Sequence, residues 1–175
     1  LTPIEIRTVV DEFISSISAD CQKSNITFLT PQYNGVLLFT RPMHSSEWSS
    51  ILFNFYTNSK KAIYRKGEKG IIGIECGVSE KMIYLEFSDN GIGIPEEYEE
   101  RIFDEFFTTT SAMNYEDIDS VNAVLGTGLG LKIVKDIVES YKGRIFVTSP
   151  KNQFNTCIRV EIPMLDDKDF EKYGL

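Results

Sequence analysis

A chain of 175 residues is long enough for one ordinary domain with its own core. Its 42% hydrophobic and 25% charged residues exclude disordered, collagen-like and coiled-coil classes, and a formal net charge of −8 without a basic patch argues against nucleic acid as the partner. No run nears the roughly 20 apolar residues of a membrane span, so no direct membrane insertion is expected; Cys21, Cys76 and Cys157 lack disulfide or zinc spacing, which fits a reducing, cytoplasmic setting. The chain starts at Leu1 rather than Met and has no signal-peptide features, which suggests a piece of a longer protein that could itself be membrane-anchored.

In chain order, Ile6, Val9, Val10, Phe13, Ile14 and Ile17 recur at three- and four-residue intervals, predicting an amphipathic helix over 3–17 with Thr2 as its cap. Residues 25–29 and 36–40 are short and β-rich, and the Pro-Gln-Tyr-Asn-Gly cluster between them predicts a hairpin. A second helix is expected over 46–64, with Trp48, Ile51, Leu52, Phe55 and Ala62 on its apolar face and Asn54 and Asn58 one turn apart. Residues 71–78 and 82–88 flank Ser79-Glu80-Lys81 and read as an antiparallel pair.

Residues 95–106 read as a short acidic helix, and 108–125 form a polar connection long enough to be a lid. Gly126-Thr-Gly-Leu-Gly130 opens a helix with the stripe Ile133, Val134, Ile137, Val138 and Tyr141, ended by Gly143. Strands at 144–148 and 156–162 close a domain of residues 1–165, and 166–175 read as an acidic tail.

Three segments carry chemistry. Asp89 ends a strand and is followed by Gly91 and Gly93, which places a carboxylate acceptor beside backbone that a flat ligand can approach closely. The cluster Gly126, Thr127, Gly128, Leu129 and Gly130 sits at a helix N-terminus, where unpaired N–H groups and the helix dipole favour phosphate; its spacing fits neither a P-loop nor a Rossmann fingerprint. Asn54 and Asn58 supply amide oxygens that can join a Mg²⁺ shell made mostly of phosphate and water.

Taken in this order, the segments resemble the N, G1, F and G2 boxes of GHKL ATPases, and the local text is similar to sensor histidine kinases over about 25–163. Ile51-Leu-Phe-Asn54-Phe-Tyr-Thr-Asn58-Ser59-Lys-Lys61-Ala62 resembles the N box, 89–95 the G1 box, Arg101 to Thr109 the F box and 126–131 the G2 box. The resemblance implies a Bergerat fold: a two-layer α/β sandwich with a mixed, mostly antiparallel sheet, helices on one face and an ATP lid. It implies ATP and Mg²⁺ as ligands. Asn58 would ligate the metal, Asp89 would accept from the adenine amino group, Gly91 and Gly93 would shape the adenine pocket, and Thr156 would lie near the base. Residues 126–130 would wrap the phosphates and Lys61 would reach them.

Three positions depart from the family pattern: Ser59 replaces the usual alanine, Asn155 stands where a glycine usually precedes the threonine, and the lid carries an unusual Asn-Tyr-Glu-Asp-Ile-Asp. Hydrolytic relatives carry a water-orienting glutamate one turn before the magnesium asparagine; Asn54 in its place favours phosphoryl transfer over a switch ATPase driven by lid closure, the alternative reading. His44, the only histidine, precedes the N-box helix, so the phosphoacceptor histidine is expected on a dimerisation helix outside this chain, with a response regulator downstream.

Overall fold

The computed structural model describes residues 1–105, 107 and 130–175. Among them, a mixed, mostly antiparallel sheet carries helices on one face, the expected two-layer α/β sandwich. Residues 126–129 and the expected lid lie outside the described residues.

The chain opens with strand β1 (Thr2–Glu5) and continues directly into helix α1 (Ile6–Lys23), which buries Ile6, Val9, Val10, Phe13, Ile17 and Cys21 along one stripe. The helix thus starts later than its periodicity predicts. Glu5, not Thr2, caps it, accepting from the Thr8 amide at 2.9 Å. Residues 2–5 instead pair antiparallel with β4 (Phe39–Met43), which supplies hydrogen-bond partners that a frayed first helical turn would lack.

The hairpin expected between 25–29 and 36–40 does not form. Strands β2 (Ile26–Phe28) and β3 (Gln32–Asn34) run in the same direction, and both pair parallel with β5 (Gly70–Ser79). Pro31, which has no N–H to donate, sits in the break between them, and the chain continues without reversing.

Helix α2 (Ser45–Lys66) ends at Gly67, whose φ of 74° suits a residue without a Cβ. Strands β5 and β6 (Met82–Asp89) form the expected antiparallel pair, turned by Glu80 and Lys81, both with positive φ. After two 3-10 turns comes helix α3 (Gly130–Ser140), then β7 (Arg144–Val147) and β8 (Thr156–Pro163); the sheet order is β2-β5-β6-β8-β7.

The acidic helix expected over 95–106 is reduced to those 3-10 turns, Glu96–Tyr98 and Arg101–Phe103. Glu96, Glu97, Glu99 and Glu100 would repel at i,i+3 and i,i+4 on an α-helix, and only Phe103 is buried to hold one. Ile133 is exposed and lies off the stripe of α3, which buries Val134 and Val138. The segment read as a tail forms helix α4 (Asp167–Tyr173), capped by Asp166 and anchored by an edge contact between Phe170 and Phe39.

Period-2 alternation separates the two faces of the sheet. The rows Ile74-Phe87-Ile158 and Cys76-Leu85-Val160 are buried in the core with the apolar stripes of α1, α2 and α3. The intervening rows, Glu75-Glu86-Arg159 and Gly77-Tyr84-Glu161, are polar and belong to the opposite face. Asp89 falls on an apolar row, between Ile72 of β5 and Thr156 of β8.

Candidate functional site

Helix α2 and the C-terminal end of β6 build the site together. Asp89 is the last residue of β6 and only 4% exposed. Its Oδ2 accepts from the Ser59 hydroxyl at 2.7 Å and its Oδ1 from the Gly91 amide at 2.8 Å. Burial pushes the Asp89 carboxyl above its ordinary value, and the Ser59 and Gly91 hydrogen bonds pull against that rise without cancelling it.

The glycine loop is pressed against α2. A Cβ on Gly91 would fall 2.6 Å from the Ala62 Cβ and 2.7 Å from its carbonyl carbon, so only glycine fits this approach. The Ile92 amide donates to the Ala62 carbonyl at 3.2 Å, and Gly93 takes a φ of 81°. From the other side the Asn155 side-chain amide donates to the carbonyls of Gly91 at 2.9 Å and Asn90 at 3.2 Å, while its backbone amide donates to the Asp89 carbonyl at 2.8 Å. Asn90 closes the loop by accepting from the Ile71 amide and donating to the Lys69 carbonyl.

One turn of α2 separates Asn54 from Asn58. The Asn54 amide nitrogen donates to the Ser50 carbonyl at 2.8 Å, and its oxygen lies where a Cβ on Gly130 would come within 2.6 Å of it. Asn54 is therefore set against the N-terminal end of α3, and a bond from the Tyr141 hydroxyl to the Glu47 carboxylate ties the two helices together. Asn58 is half-buried, and its side chain makes no hydrogen bond among the described residues. Lys61 is likewise half-buried with no ion pair among the described residues, and burial lowers its ammonium's pKa. Lys60, its neighbour, turns away to bind Asp20 at 2.7 Å.

The structure thus brings together Asp89, Gly91, Gly93 and Thr156 at one end and Asn54 and Gly130 at the other, with Asn58 and Lys61 on the helix between them. Gly126, Thr127, Gly128 and Leu129 lie outside the described residues. Ser59 and Asn155 depart from the family pattern, which carries no signal for what they do here: one holds the carboxylate and the other clamps the glycine loop. Among the described residues no group of His, Cys, Asp and Glu side chains could hold a metal ion. A hard cation at this site would rely on the amide oxygens of Asn58 and Asn54 and on ligand phosphates, the oxygen set that Mg²⁺ favours.

The sensor protein kinase WalK of Staphylococcus haemolyticus is 35% identical over 130 residues, covering 71% of this chain and 19% of WalK. The chain therefore spans about a fifth of the length of that curated relative. The catalytic domain of histidine kinase ThkA, in a nucleotide-free form, superposes with a TM-score of 0.73 at 25% identity, covering 93% of this chain and 97% of that one. ThkA in complex with the response regulator protein TrrA shares the fold, with a TM-score of 0.68 at 24% identity over 94% of this chain and 42% of that one. No helix among the described residues is long and apolar enough to cross a membrane. Residues 44–166, which span α2, the glycine loop and β8, match the histidine kinase-, DNA gyrase B- and HSP90-like ATPase family, and the chain belongs to that family.

Proposed function

We propose that this chain is the ATP-binding catalytic domain of a sensor histidine kinase, which holds Mg-ATP and presents the γ-phosphate to a histidine on a dimerisation helix beyond these residues. The observation that carries this reading is Asp89: a buried carboxylate, held by two neutral donors and facing no cation among the described residues, beside a backbone loop too close to α2 for any side chain.

Asp89 accepts from the adenine amino group, Gly91 and Gly93 keep the backbone low against the base, and Thr156 flanks it from β8. Lys61 pairs with phosphate oxygens, which compensates an ammonium that burial has disfavoured. The amides of residues 126–130 surround the phosphates at the start of α3. Asn58 would hold Mg²⁺, which when bound offsets phosphate charge. The chain's task is to fix and neutralise the triphosphate while the acceptor nitrogen arrives in line; a P–N bond forms, the bond to the β,γ-bridging oxygen breaks, and ADP leaves. Asn54 in place of an acid leaves water without a base at this position. The kinase unit spans 1–165 with 166–175 appended, works on the cytoplasmic side, and passes its phosphoryl group to a response regulator.

The parent protein, incubated with γ-labelled ATP and Mg²⁺, is expected to take up acid-labile, base-stable label, and the Asp89→Asn form to take up none. Rapid steady-state hydrolysis without labelled histidine contradicts the reading.

A further inference from the structure

We propose that Ser59 is a positioning residue for base recognition: its hydroxyl fixes the Asp89 carboxylate in the orientation from which the remaining lone pairs accept the exocyclic amino group of adenine. The inference rests on the nucleotide reading above and deepens it.

Serines in these helices ordinarily bond backward to their own helix. Ser16 donates to the Phe13 carbonyl at 2.6 Å, Ser49 to Ser45 at 3.4 Å and Ser140 to Ile137 at 2.6 Å. Ser59 instead donates across 30 positions of sequence to Asp89 Oδ2 at 2.7 Å, with both residues buried. Such a short charge-assisted bond is stronger than a neutral one. The Gly91 amide holds the other oxygen at 2.8 Å. One bond alone would leave the carboxylate free to turn about its Cβ–Cγ bond; two bonds, from the helix on one side and the loop on the other, set its plane.

The same bond favours the ionised acid, the form that can only accept. The groups packed round Asp89 are Ser59 from α2, Ile72 from β5, Thr156 from β8 and the Gly91 amide, and no charged side chain among the described residues faces it. With burial raising the carboxyl's pKa and no cation to lower it, Ser59 and Gly91 carry the opposing effect. An alanine fits sterically, since it only removes the hydroxyl, and the sequence pattern that the N box resembles carries alanine there.

The test is calorimetric titration of the wild-type chain and Ser59→Ala with a non-hydrolysable ATP analogue plus Mg²⁺, and separately with inorganic tripolyphosphate plus Mg²⁺, across pH 5 to 8. Melting curves verify that both proteins fold. Ser59→Ala is expected to bind the ATP analogue about tenfold more weakly at neutral pH. Its affinity should fall away at a higher pH than that of the wild type as the acid protonates, while tripolyphosphate binding is unchanged. Equal affinities with superimposable pH profiles, or equal losses for both ligands, overturn the role of Ser59. Absence of ATP-analogue binding by folded wild type would instead overturn the nucleotide reading itself.

Discussion

The two faces of the sheet treat buried carboxylates in opposite ways. On the outer face Glu86 and Glu161 are 7% and 3% exposed, and each is matched by cations. Arg159 donates to Glu86 at 2.9 Å and to Glu161 at 2.8 Å, Arg144 adds a bond to Glu161 at 2.6 Å, and Lys151 stands 3.8 Å from Glu86. The Arg159 guanidinium also lies 4.0 Å from the centre of the Tyr84 ring, so its exposed side is covered. On the helix-covered face Asp89 is buried to the same degree with, among the described residues, only a hydroxyl and an amide for partners. A carboxylate balanced by cations serves the fold; a buried one balanced only by neutral donors keeps acceptor capacity and negative charge for something that is not protein.

The largest expected break in this comparison is Asp89→Asn. The substitution replaces a charged acceptor by an amide that can present a donor to the adenine amino group, and ATP-analogue affinity should fall by about 100-fold in calorimetry. Stability should hold or rise at neutral pH. Because the folded Asp89 pKa is raised, its ionised form weighs against folding above that value, and this cost vanishes below the unfolded value, near 3.9. Any stabilisation in Asp89→Asn should therefore shrink as the pH is lowered toward 4, as read by urea melts.

Glu161→Gln should do the reverse, leaving nucleotide affinity intact and destabilising the domain by about 2 kcal/mol, with Arg144, 65% exposed, relaxing into solvent. Burial pushes the Glu161 carboxyl up, but hydrogen bonds from Arg144 and Arg159 outweigh it and hold the carboxyl below the usual value of 4.5. Its stabilisation is thus fully present above 4.5 and lost as the pH falls through the folded value. The gap between wild type and Glu161→Gln should close in acid, whereas an unchanged gap would mean that packing, not charge, dominates that face.

What the sequence made legible follows the range of each signal. Helix α2, the β5–β6 pair and the glycine turn after Asp89 rest on local periodicity and turn chemistry, and they stand nearly as expected. Strand β1, the parallel seating of β2 and β3 on β5, and helix α4 depend on partners far along the chain, and three-residue strands carry too little pattern to name theirs. The same limit holds within the site. Asp89 was readable from its own surroundings, but the contacts that hold it come from Ser59 and Asn155, whose polar side chains are informative only once the fold brings three distant segments together.

The central claim is that Asp89 is reserved for adenine. Calorimetry of the chain with Mg²⁺ and non-hydrolysable analogues of ATP and of GTP tests it most directly, because guanine carries a carbonyl where adenine carries its amino group and would set an oxygen against the carboxylate. The ATP analogue is expected to bind at least about tenfold more tightly. Equal binding of the two, or no binding of either by folded protein, would contradict it.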